Sequence, residues 1–259
     1  MKGEIPALAR AITVVNNEQP GSADLLRLLP ESSYRTPVIG FTGAPGAGKS
    51  TLINAYITSC RKAGRRVAVV SVDPSSPISG GAILGDRLRM SEHVNDIGVY
   101  IRSIAARGHL GGLCSSIKNV IRVINAAGWD VIILETVGTG QSEVEIASIA
   151  DVKIVLNTPG MGDAIQAMKA GVLEIADILI VNKADLPQAS NTAHELRAMQ
   201  KLRSGAAGEI EVIETVATTH AGLDVMSAAI DRCLDLRHRH PGSASTNFSN
   251  KQLVPDQKS

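Results

Sequence analysis

Short β-branched runs alternate along the chain with longer stretches of helical period. Val38–Thr42, Val67–Val72, Val99–Arg102, Val131–Thr136, Val152–Leu156, Ile178–Val181 and Glu211–Thr215 read as strands, and most are apolar at nearly every position. Such continuity predicts strands covered on both faces, because a sheet with one wet face would alternate apolar and polar residues. Between and after them, Lys49–Lys62, Leu113–Ala127, Ile165–Ile175, Thr192–Leu202 and Leu223–Leu236 carry apolar residues at helical spacing. The alternation predicts an α/β fold with a mainly parallel β-sheet and helices on both faces. Ahead of the first strand, Ile5–Val15 and Ala23–Leu29 form a short helical leader joined by the turn-rich Asn16–Gly21.

One loop in this pattern carries chemistry. Gly43-Ala44-Pro45-Gly46-Ala47-Gly48-Lys49-Ser50-Thr51 leaves the first strand and opens a helix. Its glycines let successive backbone N–H groups turn inward around polyphosphate oxygens, and the positive end of the following helix adds to the field. Lys49 can reach the β- and γ-phosphates, and the Ser50 hydroxyl can bind Mg²⁺. The expected architecture is therefore a P-loop NTPase: a leader over 1–35, the nucleotide-binding domain over 36–240, and a tail over 241–259. From Pro241 onward Ser, Asn, Gln and Lys dominate, a composition that buries too little apolar surface to order itself.

Asn182-Lys183-Ala184-Asp185, after the apolar strand Ile178–Val181, selects the nucleotide. A carboxylate at that strand end can accept hydrogen bonds from guanine N1–H and N2–H₂, a donor pair that adenine lacks. Asn182 would brace the loop and the Lys183 stem would cover the base. The same tetrapeptide also suits an ordinary turn, so its weight comes from its position downstream of a phosphate loop. Val216 and Ala217, just past the last strand, join the nucleotide-binding set. Glu135, ending the buried strand Val131–Thr136, stands where an acidic residue orders Mg²⁺ and its waters, and Gly138 can offer its N–H to the γ-phosphate. Asp73, at the end of the second strand, and Asp86, in the glycine-rich loop from Gly80, are further candidate metal ligands.

Composition excludes more than it selects. A chain of 259 residues with 44% hydrophobic content can bury a full core, and a net charge of +1 gives no sign of nucleic-acid binding. Trp129 is the only tryptophan, so stacking platforms for bases are not expected either. Cys60, Cys114 and Cys233 lie far apart, which fits neither a disulfide framework nor a zinc site and points to a reducing, cytoplasmic setting. No apolar run approaches the length of a membrane span.

Several long motifs converge on one family. Gly43–Thr51, Val72–Pro77, Gly80–Met90 (GGAILGDRLRM), Ile101–Leu113 (IRSIAARGHLGGL), Glu135–Glu143 (ETVGTGQSE), Pro159–Asp163 (PGMGD) and Asn182–Asp185 closely resemble the MeaB/ArgK family of P-loop GTPases, over roughly residues 5 to 236. The resemblance implies a G-protein chaperone that gates cofactor loading and protects an adenosylcobalamin-dependent acyl-CoA mutase of the methylmalonyl-CoA mutase type. It implies a metal shell of Ser50, Asp86 and Glu135. Pro159–Lys169 would be an additional switch loop, in which Asp163, Gln166 and Lys169 match the family's pattern. Family members usually continue into a helical arm used for dimerisation, whereas His240 is followed here by a polar tail, which counts against the usual homodimer. Arg102, Arg107 and His109 sit in a family motif without an evident reaction step, and His238-Arg239-His240 reads as a solvated helix end.

The expected reaction is Mg²⁺-dependent attack of water on the γ-phosphate of GTP, giving GDP, with Lys49, Glu135, Asp86, Gly138 and Lys169 as the catalytic set. No glutamine directly follows Gly138, and Gln141 lies three residues on, so unaided turnover should be slow and accelerated when a partner orders the switch loops. Two other readings stand beside it. One is an ATPase or kinase linked to basic amino-acid transport, against which Asp185 argues; the other is a nickel-insertion GTPase, whose His- or Cys-rich tracts this sequence lacks.

Overall fold

The computed structural model describes residues 4–29, 35–73, 90–93, 95–105, 112–136, 149–160, 176–203 and 210–239. Seven strands, β1 (Val38–Gly43), β2 (Val67–Asp73), β3 (Val99–Ala105), β4 (Val131–Thr136), β5 (Val152–Asn157), β6 (Ile178–Asn182) and β7 (Glu211–Thr215), form one sheet in the order β3-β2-β4-β1-β5-β6-β7. Every neighbouring pair is parallel. Six helices lie among the described residues: α1 (Glu4–Asn16), α2 (Ser22–Leu28), α3 (Lys49–Lys62), α4 (Gly112–Ala126), α5 (Ala189–Arg203) and α6 (Leu223–Arg239). Parallel neighbours need crossover connections, and α3, α4 and α5 lie in such connections, whereas α1 and α2 precede β1 and α6 follows β7.

Alternate strand residues face opposite sides, and each side has its own core. Ile39, Phe41, Val69, Ile133, Ile154 and Ile180 pack with Leu52, Ile53 and Tyr56 of α3 and Met226 and Ile230 of α6. On the opposite face Val38, Ala68, Val70, Ile132 and Leu134 meet Ile117, Val120 and Ile124 of α4. Leu8, Ile12 and Val15 of α1 belong to that same cluster, so the leader is built into the core. A third cluster joins Val155, Leu179 and Val181 to Ala189, Ala193 and Leu196 of α5. Each fully buried Leu or Ile contributes about 1.5–3 kcal/mol, enough for these faces to set the register.

The other end of the sheet is tied by carboxylates. Asp130, Asp151 and Asp177 immediately precede β4, β5 and β6, and each accepts a backbone N–H at the start of a neighbouring strand: Arg66 at 2.6 Å, Val38 at 2.8 Å and Lys153 at 2.8 Å, respectively. These donors stand at strand starts, where the ladder leaves them unsatisfied. Charge-assisted bonds there resist slippage along the strands.

The strands lie where the apolar runs predict them, with shifts at the ends. β3 continues to Ala105, α5 begins at Ala189, and α6 runs on to Arg239. The expected helix Ile165–Ile175 and the tail 241–259 lie outside the described residues. No helix among the described residues is long and apolar enough to cross a membrane.

Candidate functional site

Three adjacent strands, β2, β4 and β1, end on the same side of the sheet. The loop after β1 depends on its glycines. Gly43 has φ +141°, and a Cβ there would strike the Leu156 carbonyl oxygen of β5; Gly46 and Gly48 have φ of +78° and +86°. These are conformations that side-chain-bearing residues rarely adopt. Gly48 caps α3 with no side-chain hydrogen bond, so the first N–H groups of the helix face the loop as an anion would require.

Lys49 is buried, and its ammonium curls over the loop, donating to the carbonyls of Gly43 at 2.7 Å and Ala44 at 3.1 Å. Ser50 Oγ donates to Glu135 Oε1 at 2.7 Å. Glu135 is 1% exposed, and its other oxygen, Oε2, accepts from Ser71 Oγ of β2 at 3.3 Å. Asp73, at the end of β2, is 2% exposed. Ser50 and Glu135 are thus in contact, and Asp73 ends the neighbouring strand two residues beyond Ser71; all three offer hard oxygens. Hard oxygens of this kind suit Mg²⁺.

The second half of the site follows β6, two places from β1 in the sheet. Asn182 is 1% exposed and makes three ties: its Nδ2 donates to the Ala47 carbonyl at 2.9 Å, while its Oδ1 accepts from Thr215 Oγ1 and from the Ala217 N–H, both at 3.2 Å. One amide thus joins the phosphate loop, the end of β7 and the turn beyond it. The fit is close, since a Cβ on Gly48 would strike the Asn182 amide nitrogen. Lys183 takes a left-handed φ of +58°, sustained by the bonds from Ala184 N–H to Thr215 O and from Leu186 N–H to Lys183 O, both 3.0 Å.

Around these ties lies a cavity of about 230 Å³. Gly48 and Thr51 line it from the first loop, Lys183 and Asp185 from the second, and Val216 and Ala217 from the turn after β7. Leu186 and Thr218 line it too, and the sequence reading missed both. Thr218 lies in a turn closed by the Val216 N–H to Ala221 O bond at 3.0 Å; its only sequence signal is proximity to a strand end. The expected loop residues Ala44, Pro45, Gly46, Ala47 and Ser50 are all described, whereas Asp86, Gly138 and Lys169, with Asp163, Gln166, Arg107 and His109, lie outside the described residues. Arg102 donates to Thr13 Oγ1 of α1 at 2.9 Å and so ties the leader to β3. His238 and Arg239 are exposed in the last turn of α6.

Asn182→Ala should lower stability by about 2–3 kcal/mol, because it leaves buried partners short of a bond, and should also weaken GDP binding. Urea unfolding with the midpoint of the wild type would show the three ties to be idle.

Residues 8–253 match the family model described as methylmalonyl Co-A mutase-associated GTPase MeaB. A Pyrococcus abyssi protein carrying a GTPase name is 46% identical over 226 residues, 86% of this chain and 70% of that protein. GTPase ArgK of Escherichia coli is 41% identical over 74% of this chain and 59% of its own length. The mouse methylmalonic aciduria type A homolog, mitochondrial, is 36% identical over 78% of this chain and 53% of its own. Among solved structures, an LAO/AO transport system kinase superposes with a TM-score of 0.74 at 28% identity, covering 92% of this chain and 73% of that one. The seven-stranded sheet, the glycine-built phosphate loop joined to a second loop by Asn182, and a family match spanning nearly the whole described chain lead to one assignment: this protein belongs to the MeaB family and is a P-loop GTPase.

Proposed function

We propose that this GTPase is a cytoplasmic chaperone for an adenosylcobalamin-dependent acyl-CoA mutase of the methylmalonyl-CoA mutase type, gating cofactor loading and protecting the enzyme. The family match over residues 8–253, to GTPases described as mutase-associated, is the observation that carries the partner. The guanine nucleotide site supplies the free energy for gating.

In this reading the carboxylate of Asp185 takes the guanine N1–H and N2–H₂, with the base between the Lys183 stem and the turn at Val216 and Ala217. The amides of the 43–51 loop hold the phosphates. Ser50, Asp73, Asp86 and Glu135 would hold Mg²⁺, which would supply positive charge to offset that of the phosphates. Water adds to the γ-phosphorus while the bond to the bridging oxygen breaks, and GDP leaves with that electron pair. The ammonium of Lys49 offsets the charge that develops, and the Gly138 N–H steadies the transferred group. The name of the transport-kinase structure belongs to that protein; Asp185 favours GTP here.

Lys169, in the expected switch loop, gives the test. Adding cofactor-loaded mutase should raise GTP hydrolysis by at least about tenfold, since one further charge-stabilising group brought to the site is worth that much or more. Lys169→Ala should lose most of this acceleration while keeping nucleotide affinity. Mutases that leave the rate of the wild-type protein untouched would sink the partner assignment.

A further inference from the structure

β2 reads Val-Ala-Val-Val-Ser-Val-Asp and is buried throughout, so one hydroxyl stands in a strand that is otherwise apolar up to its last residue. Ser71 has no exposure. A buried hydroxyl costs stability unless it is used, and the register shows its use. Ser71 lies directly across from Glu135 of β4 on one side and from Ser103 of β3 on the other. Their neighbours two residues earlier, Val69 and Ile133, belong to the core that packs against α3, so Ser71 and Glu135 face the helix that carries Ser50.

The two oxygens of Glu135 are divided between two serines. Ser50 Oγ donates to Oε1 at 2.7 Å, and Ser71 Oγ donates to Oε2 at 3.3 Å. The terminal torsion of a glutamate side chain is broad, so a carboxylate held at one oxygen can swing about that contact. Held at both, it cannot. A hydroxyl that binds a cation through its oxygen still needs an acceptor for its proton, and Oε1 of Glu135 is that acceptor for Ser50. Ser71 is not among the residues lining the nucleotide cavity; among the described residues its hydroxyl reaches the site through Glu135. Ser103 Oγ, its neighbour on the other side, is buried without a hydrogen-bond partner and offers a matched hydroxyl that does not contact Glu135.

We propose that Ser71 is a positioning residue that sets the Mg²⁺ affinity of the nucleotide site by fixing the Glu135 carboxylate. This rests on the assignment of Ser50 and Glu135 to Mg²⁺ above. The full-length protein is loaded with fluorescent GDP, and the rate of GDP release is followed as Mg²⁺ is added after EDTA. Mg²⁺ should slow release from the wild type. Ser71→Ala should shift the midpoint of that effect to about tenfold higher Mg²⁺, the loss usual for an outer-shell partner. Its GDP affinity in EDTA should stay at the wild-type value, which also reports that the variant is folded. Ser103→Ala, which removes another hydroxyl from the same row at a half-buried position, should leave the midpoint in place. An unchanged midpoint in Ser71→Ala overturns the proposal and leaves the metal assignment standing, as does an equal shift in Ser103→Ala. A wild type indifferent to Mg²⁺ overturns both.

Discussion

Lys49→Ala is expected to hydrolyse GTP at least about a hundredfold more slowly than the wild type in single turnover, the loss that follows removal of one well-placed charge-stabilising donor. The magnitude follows from where the ammonium lies. Lys49 is 8% exposed and sits against the Gly43 and Ala44 carbonyls, so little water screens it and its field acts on whatever the loop encloses. Lys49→Arg should not restore the rate, because a planar fork replaces a compact charge in a loop sized by glycines. Retention of the wild-type rate by Lys49→Ala would remove this loop from the chemistry.

Asp185 is expected to decide between bases. The wild type should prefer GDP to ADP strongly in competition, and Asp185→Asn should lose about 2–3 kcal/mol of that preference, roughly 30- to 150-fold in the ratio of affinities. An amide presents one acceptor where guanine needs two, and turns a donor toward a donor. Xanthine carries an oxygen at C2 in place of the amine, so the variant should gain affinity for xanthosine diphosphate as it loses GDP. An Asn variant that still ranks GDP first would show that the cavity beside Val216 and Ala217 reads the base by other means.

Strands fully covered on both faces were legible because burial leaves an apolar run that no loop imitates; β1, β2 and β4 are of this kind. Boundaries were less so where polarity broke the run. Arg102 and Ser103 interrupt β3 and end the predicted strand early, yet the ladder to β2 continues through Ala105. Hydrogen bonding to a neighbour, invisible in a linear pattern, extends it. The glycine loop and the Asn182–Asp185 tetrapeptide announced themselves by local spacing. Their union did not, because the bond from Asn182 to Ala47 spans 135 positions of sequence. The same holds for the Asp ties before β4, β5 and β6, and for the leader, whose amphipathic helices gave no sign of which face of the sheet they would join.

The bridging amide of Asn182 has a thermodynamic corollary. Its Nδ2 donates to Ala47 of the loop expected to hold phosphate, and its Oδ1 accepts from Ala217 in the turn expected to flank the base, so ordering either end of the ligand should pre-set the other. Linkage makes such an effect reciprocal. Guanosine and pyrophosphate, offered as separate molecules, would each tighten the binding of the other by the same factor, whichever arrived first.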